Sequence, residues 1–562
     1  MSARQGERSA PLGPGLLALV LVAVTGVACL AMPFTGDQAY LTVYGRQLSE
    51  GAVLYRDVFD VKQPGIFVFY AVGGLLFGFT EVGIHLLELG YWLAFSAFMV
   101  VALPRYFSTP WAAPLVPIFT VVVYYLYARP YDLTQNEMLV AFPLLVVWWL
   151  LDQADARTRR GIARYAAAGL VAAAVVMLKY LYLLIVLGFL GYAVVRAYRA
   201  RVRSRDVGRA VAAFSVGVGV PLLLVGVYFA AYGQLERIWW AYFELAPGGT
   251  ALAPRHLGRL TGGATTFLLG HAPVVVLAVV GVVHTLRRRV RPQTNLVAAM
   301  VLWGAIGAVL FLVQFWLAYH WLLFNVPLGI LAVVGVEALV DSRRLPDGRR
   351  RWVTLAGVAA LAALSFWIGA PADQTLILLL VLVVITAGAG IGLEMVGGRA
   401  AGGWLVPLLA AGLAVSLGLM AATPAHKLTV LGQHDFALTT ESRAEFRHAW
   451  YSPYRAADQD LDVLRSGEVL PGAMFVFGNP VVLLRANRPQ AVPLSGWFSE
   501  IYDSRAWHQI ERDLRSATPP YIVIEEPLEA LIRSRHPALM GFVEEEYTIA
   551  FVGASGTWHV HR

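Results

Sequence analysis

The 562-residue chain is strongly apolar, because 58% of its residues are hydrophobic and only 14% are charged. Its mean hydropathy of +0.63 lies outside the range of soluble globular proteins, so the composition predicts a polytopic membrane protein. The net charge of +8 could indicate a nucleic-acid partner, but the arginines gather in short loops between apolar runs. That pattern is typical of membrane topology determinants, and we predict no nucleic-acid binding.

The single cysteine, Cys29, lies inside the first apolar run. The chain therefore forms no intrachain disulfide and has no cysteine-rich metal site. The first run is longer than the apolar core of a usual signal peptide and lacks a clear cleavage site, so it is predicted to be a retained helix.

Thirteen apolar runs meet or approach the length of about 20 residues that a membrane-spanning helix needs. They cover residues 12–33, 84–103, 111–128, 138–151, 165–178, 181–195, 210–231, 265–286, 295–313, 321–340, 352–370, 374–393 and 404–422. Another apolar run, Ile66 to Phe79, has only 14 residues and is predicted to lie in the membrane interface or to re-enter from it.

The distribution of positive charge predicts the orientation of these helices. When the run from Ile66 to Phe79 is counted as non-spanning, most Arg and Lys residues of the loops fall on one side of the membrane, which is then cytoplasmic. The N-terminus is thus predicted inside. An odd number of crossings places residues 423–562 outside the inner (cytoplasmic) membrane. The predicted domains are a transmembrane domain, 1–422, with a first outer loop at 34–83, and an extracytoplasmic domain, 423–562.

The C-terminal segment is more polar than the preceding apolar region and is predicted to form a small α/β domain. Strands are predicted at Met474–Phe477 and Tyr521–Ile524, with a helix at Arg505–Arg515 between them. No phosphate-binding glycine loop and no nucleophile elbow is found in it. The predicted fold class is therefore an all-α polytopic membrane bundle of about thirteen helices with a small C-terminal α/β domain.

Polar residues recur at the predicted outer ends of the helices. They are Asp37, the cluster from Arg56 to Lys62, Asn136-Glu137, Lys179 and Tyr319-His320. Lysine is otherwise almost absent, since the chain has three lysines (Lys62, Lys179 and Lys427) among 44 basic residues. Loops on one face of a helical bundle converge, so these groups are predicted to line one cavity.

The ordered set of motifs resembles the GT-C membrane glycosyltransferases, in particular the family-39-like branch of protein O-mannosyltransferases and the aminoarabinose transferase of lipid A. The motifs are Asp37 after the first helix, Tyr55-Arg-Asp then Asp60-x-Lys62-x-Pro64, Asn136-Glu137, Lys179, and His320-Trp-Leu-Leu-x-x-x-Pro327-Leu. The resemblance covers residues 12 to 340. It implies transfer of a sugar from a polyprenyl-phosphate donor to an acceptor on the outer side of the membrane, with membrane lipid as a partner.

The chemistry of that transfer suits these residue types. An acceptor hydroxyl needs a carboxylate to take its proton, and Asp37 is the candidate base. A leaving phosphate needs cations, and Lys62 and Lys179, with Arg56, are candidates to hold it. Further residues are predicted to orient those cations or to bind sugar or phosphate: Asp57, Asp60, Glu137 and His320.

One position departs from the mannosyltransferase pattern, because that pattern has an acidic pair where Asp37 is followed here by Gln38. A metal or second-carboxylate role is therefore not predicted there. No cofactor and no tightly bound transition metal is predicted, since the chain has no His/Cys cluster, although a weakly held divalent cation stays open.

Structural roles compete with each assignment. Asp37 suits a helix end beside Gly36, the charges of Arg56, Asp57 and Asp60 suit a surface salt-bridge group, and interfacial lysines commonly snorkel. Glu137 suits a helix N-terminus, and a lone His320 suits interfacial packing.

Other functions also compete. A transporter or flippase of lipid-linked sugars would show repeated halves and midplane charges, which this chain lacks. A ligase or polymerase using diphosphate-linked glycans would lack the Asp37 and Asp-x-Lys-x-Pro order. The sugar and the acceptor stay open.

Overall fold

A computed structural model describes residues 12–252, 257–288, 293–313, 317–341, 424–465 and 472–562. Within these ranges seven helices are long and apolar enough to cross a membrane, as expected for a multi-pass membrane protein. They are Glu81–Ala102, Arg159–Leu178, Tyr180–Arg199, Ser204–Ala231, His271–Arg288, Gln293–Val313 and Ala318–Val340. The predicted spans 352–370, 374–393 and 404–422, and the domain boundary after residue 422, lie outside the described residues. The number thirteen therefore stays a prediction.

The predicted apolar runs that fall in the described residues all form helices. The bounds of the longer helices are Leu12–Val27, Gly36–Ser49, Pro64–Phe77, Glu81–Ala102, Leu115–Tyr127, Ala141–Asp152, Arg159–Leu178, Leu183–Arg199, Ser204–Ala231, Leu257–Arg288, Gln293–Val313 and Asn325–Asp341. Short helical pieces lie between them at Pro104–Tyr106, Pro130–Asp132, Asn136–Leu139, Tyr180–Tyr182, Leu235–Trp239, Trp240–Leu245, Ala246–Leu252 and Ala318–Phe324.

The run predicted not to span forms a 14-residue helix, Pro64–Phe77. Proline at the first helical position is pre-organised for a helix start, and Gly78, with φ of +93°, ends the helix in a conformation that favours glycine. Its length is short for a membrane crossing. The interfacial placement of this helix stays a prediction.

The predicted first outer loop contains a helix that hydropathy did not reveal, Gly36–Ser49. It begins where the Gln38 side chain accepts a hydrogen bond of 2.7 Å from the backbone N–H of Thr35. The Gln38 amide also donates to the carbonyls of Pro130 and Leu133, at 2.6 and 2.9 Å. Gln38 is thus a structural residue that ties the start of this helix to the 130–133 turn.

The third lysine, Lys427, lies in a helix over 424–433 and is only 3% exposed. Its ammonium group donates to the carbonyls of Tyr125 and Ala128, at 2.7 and 2.9 Å. These carbonyls belong to the end of the Leu115–Tyr127 helix, where a cation is favoured by the helix dipole. Lys427 therefore anchors the start of the C-terminal segment to the membrane helices.

The C-terminal segment contains a four-stranded sheet, with β1 at Met474–Phe477, β2 at Tyr521–Ile524, β3 at Tyr547–Gly553 and β4 at Gly556–His561. The order is β1-β2-β4-β3, with β1 and β2 parallel and the other pairs antiparallel. Its longer helices are Thr440–Trp450, Ser452–Arg465, Ser504–Ala517, Glu526–Arg535 and Pro537–Glu546, and its short ones are Asp435–Ala437, Val481–Ala486 and Ser499–Ile501.

The predicted strands β1 and β2 and the helix between them are confirmed, and β3 and β4 were not predicted. Strands β1 and β2 are buried along their whole length, which suits parallel strands. Strand β3 is largely exposed and therefore lacks that continuous apolar signal.

Polar contacts hold this domain against the membrane helices. Glu81, at the start of its helix, accepts hydrogen bonds from Tyr454 at 2.7 Å and from Arg447 at 3.0 Å. The backbone N–H of Phe59 donates to the carbonyl of Pro493 at 2.8 Å. Residues 490–497, called the 490–497 segment below, thereby lie against the first outer loop.

Candidate active site

A cavity of about 240 Å³ lies where the ends of several membrane helices meet the C-terminal domain. Its wall contains polar and charged side chains, which are those of Asp60, Lys62, Gln63, Asn136, Glu137, Lys179, Tyr319, His320 and Glu500. It also contains apolar side chains, which include those of Leu181, Leu245, Ala246, Leu317 and Ile501. A cavity with both kinds of side chain suits a ligand that has a charged head and an apolar chain.

Asp37 lies directly behind this wall and contacts it through three side chains. The indole N–H of Trp497 donates to Asp37 Oδ1 at 2.9 Å, and the Tyr319 hydroxyl approaches Oδ2 at 3.4 Å. Lys62 Nζ lies 3.7 Å from Oδ2, too far for a direct hydrogen bond. The Asp37 side chain is 6% exposed. Its carboxylate is therefore held by neutral donors, with a lysine close by.

Lys62 is surrounded by acceptors. Its ammonium group donates to the Tyr40 hydroxyl and lies 3.8 Å from Asp60 Oδ1. Burial alone would lower the pKa of Lys62, but the nearby carboxylates of Asp37, Asp60 and Glu137 outweigh that cost and raise its pKa. Lys62 is thus a cation at neutral pH.

Asp60 orders the turn that carries this lysine. Its Oδ1 accepts the backbone N–H of Lys62 at 2.8 Å, an arrangement typical of an Asx turn. Pro64 then starts the next helix two residues later. The Asp-x-Lys-x-Pro spacing therefore has a local structural reason: the aspartate shapes the turn and the proline begins the helix.

A second charged group, formed by Glu137, Lys179 and His320, also lines the cavity. Glu137 is 2% exposed, and its Oε1 accepts a hydrogen bond of 2.5 Å from Lys179 Nζ. His320 Nε2 lies 3.4 Å from the same oxygen, and the Tyr182 hydroxyl lies at 3.5 Å. The ammonium group of Lys179 also sits 5.3 Å from the centre of the Tyr182 ring, within the range of a cation–π contact.

Helix ends position this second group. Glu137 lies in the first turn of Asn136–Leu139, where the helix dipole favours an acid. Lys179 follows the last residue of Arg159–Leu178 and has extended backbone angles, so it forms the predicted break before Tyr180–Tyr182. His320 lies in the helical piece Ala318–Phe324.

Arg56 and Asp57 are not brought to the cavity. They pair with each other at 2.8 Å, with side chains 46% and 37% exposed. Asp57 also accepts the backbone N–H of Val53 at 2.7 Å, and Arg237 donates to the Arg56 carbonyl at 3.1 Å. This geometry is that of a loop-ordering pair, which was the competing interpretation of the sequence.

Sequence reasoning missed Tyr40 and Trp497, which contact the predicted charged residues. Tyr40 lies in the Gly36–Ser49 helix, which hydropathy did not reveal. Trp497 lies about 460 residues after Asp37 in the chain and carries no motif. It is preceded in the sequence by Gly496. The structure shows why glycine is needed there, since a Cβ at Gly496 would lie 2.1 Å from the carbonyl oxygen of Val476 in β1.

No group of three or more His, Cys, Asp or Glu side chains in the described ranges is arranged to hold a metal ion. The expected absence of a cofactor stays a prediction.

Structural comparison with known proteins identifies the fold of this chain, whereas sequence comparison identifies no family. No protein-family model matches the chain, and no curated protein sequence matches it significantly. The crystal structure of ArnT from Cupriavidus metallidurans bound to undecaprenyl phosphate superposes with a TM-score of 0.54 at 16% identity, covering 98% of each chain. ArnT from the same organism in the apo state gives 0.52 at 15% identity, covering 97% of each chain. The chain therefore has the GT-C fold that the ordered motifs predicted.

Proposed function

We propose that the chain is an integral-membrane glycosyltransferase that moves a sugar from a polyprenyl-phosphate donor to an acceptor hydroxyl on the outer side of the cytoplasmic membrane. The observation that carries the proposal is the meeting of Lys62, Glu137, Lys179 and His320 in the wall of one cavity that also has apolar side chains, with Asp37 Oδ2 3.7 Å from Lys62 Nζ. A carboxylate beside cations is what such a transfer requires.

At the anomeric carbon, the reaction forms one bond and breaks one bond. The acceptor oxygen attacks the anomeric carbon, the bond between that carbon and the phosphate oxygen breaks, and polyprenyl phosphate leaves with the bonding electrons. Asp37 accepts the hydroxyl proton and later returns it to solvent. Of its two oxygens, Oδ2 is the better candidate, because Oδ1 is already engaged by Trp497 at 2.9 Å.

Lys62 and Lys179 are proposed to stabilise the leaving phosphate. Charge-assisted hydrogen bonds from lysine are strong, and they replace a general acid because a phosphate is already a good leaving group. Both lysines line the cavity and are partly exposed to it, by 20% and 16% of their side chains. Glu137 and His320 are proposed to orient Lys179.

The apolar side chains of the cavity wall are proposed to contact the first isoprene units of the carrier. Leu181, Leu245 and Ile501 are among them. The shared fold with ArnT, whose structure contains undecaprenyl phosphate, supports a polyprenyl carrier. The proposed orientation, with an extracytoplasmic C-terminal domain, places the cavity at the outer surface.

Purified protein incubated with a panel of lipid donors tests the proposal. We expect free polyprenyl monophosphate to appear by mass spectrometry with at least one monophosphate-linked sugar when a membrane extract supplies the acceptor. Asp37→Asn, with normal membrane insertion, is the control and should release none above background. Release only of polyprenyl diphosphate would instead support a ligase or polymerase. Transbilayer movement of the donor in proteoliposomes without carrier release would support a flippase.

A further inference from the structure

Among the residues that the C-terminal domain contributes to the cavity wall, Trp497 hydrogen-bonds to Asp37. We propose that Trp497 is a positioning residue that holds the Asp37 carboxylate in its reactive orientation, so that docking of this domain completes the active site. The inference rests on the proposed function, since it gives Asp37 its role as the base.

The contact between Trp497 and Asp37 is close and directional. The indole N–H donates to Oδ1 at 2.9 Å, which lies within the usual range for such a bond. The indole also packs on Gly36, where an added Cβ would lie 2.2 Å from the ring. Only glycine therefore allows the ring to lie flat against the start of the Gly36–Ser49 helix.

The backbone around Trp497 is itself fixed on both sides. Gly496 lies against the end of β1, and the N–H of Trp497 donates to the Ser495 hydroxyl at 3.0 Å. Upstream, Phe59 pairs with Pro493, and the Tyr44 hydroxyl donates to the Pro493 carbonyl at 3.0 Å. The 490–497 segment is thus clamped between the sheet and the first outer loop.

This arrangement makes the two oxygens of Asp37 unequal. Oδ1 has a short bond from a rigid aromatic donor, whereas Oδ2 has only the longer approach of Tyr319 and the nearby Lys62. Holding one oxygen fixes the direction of the other toward the cavity wall. Small errors in the position of a reacting group reduce catalytic rates strongly, so loss of the Trp497 bond should slow the chemical step.

Trp497→Phe removes the N–H and keeps most of the ring. The matched control is Trp507→Phe, because Trp507 is a buried tryptophan of the same domain whose N–H has no partner among the described residues. We expect Trp497→Phe to lower kcat roughly tenfold with an unchanged KM for the donor, and Trp507→Phe to leave both unchanged. Equal kcat values for the two variants would overturn the inference. A rise in kcat would also overturn the inference, because it would mean that Trp497 blocks access of the acceptor to Asp37.

A second measurement tests the contact without any substrate. In thermal unfolding, the loss in Tm from Trp497→Phe should be smaller in an Asp37→Ala background, which has no acceptor for the indole N–H, than in the wild type, whereas that from Trp507→Phe should be the same in both. Additive losses for the first pair would overturn the contact.

The two proposals fail in different ways. If the wild type releases no carrier from any donor, the proposed function falls, and with it the catalytic part of this inference. An active wild type with an equally active Trp497→Phe variant overturns the inference alone.

Discussion

Each of the two charged groups at the cavity contains a carboxylate and a lysine, but the geometry of the two pairs differs. In one group, Lys62 lies 3.7 Å from Asp37, whose carboxylate instead takes its hydrogen bonds from neutral donors. In the other, Lys179 contacts Glu137 directly at 2.5 Å, with His320 at 3.4 Å from the same oxygen. One carboxylate thus stands beside its lysine without being bonded to it, and the other forms a tight ion pair.

This difference in geometry suits the two carboxylates to different roles. A carboxylate bound directly to an ammonium group is a poor base, because losing its charge would cost the ion pair. Glu137 is therefore suited to fixing Lys179, and Asp37 to taking a proton. Variants of Asp37, Lys179 and Lys62 test this division.

Asp37→Asn keeps the size of the side chain and removes its basicity. We expect transfer to fall by roughly 10²–10⁴-fold, the range that general base catalysis usually contributes. Carrier release by mass spectrometry measures the rate, and a thermal unfolding curve close to that of the wild type shows that the fold is intact. Wild-type turnover by the folded variant would remove Asp37 from the role of base.

Lys179→Ala breaks the tight pair and leaves Glu137, 2% exposed, without its strongest partner. Removal of one member of a buried ion pair typically costs about 3–5 kcal/mol, so we expect a clear fall in the free energy of unfolding. Denaturant unfolding in detergent measures it. The double variant Lys179→Ala with Glu137→Gln should recover part of the loss. If the double variant is no more stable than the single one, Glu137 does not depend on Lys179.

Lys62→Ala should act on the donor more than on the fold. Asp37 keeps Trp497 and Tyr319 in this variant, so its stability should fall less than that of Lys179→Ala. Hydrogen bonds to charged groups are worth about 1.5–3 kcal/mol, so we expect the donor KM to rise by roughly 10–100-fold. Steady-state kinetics with the donor and the acceptor varied separately measure the KM for each. An unchanged donor KM would mean that Lys62 does not hold the phosphate.

Arg56→Ala is expected to have the smallest effect. The Arg56–Asp57 pair is exposed and lies outside the cavity, and exposed pairs contribute little. Carrier release should stay within about twofold of the wild type. A large increase in the donor KM would bring Arg56 back into the phosphate site that the sequence alone suggested.

Local patterns in the sequence were sufficient for much of the fold. Long apolar runs predicted the membrane helices in the described residues. Short continuous apolar runs predicted β1 and β2, because a strand that is buried on both faces is apolar along its whole length. The Gly36–Ser49 helix was missed because it mixes polar and apolar residues and has no long apolar run, although residues 36–45 are buried by neighbouring elements.

By itself the sequence determined the membrane class, the helix breaks and the residue types of the site, including the two lysines beside the cavity. These follow from composition and short-range spacing, which act within a few turns of the chain. Tertiary structure alone decided that Arg56 and Asp57 pair away from the cavity and that Trp497 binds Asp37. The Trp497–Asp37 contact joins residues 460 positions apart, and the distance of the Arg56–Asp57 pair from the cavity depends on how distant segments pack. Neither propensity nor periodicity encodes which distant surfaces will meet.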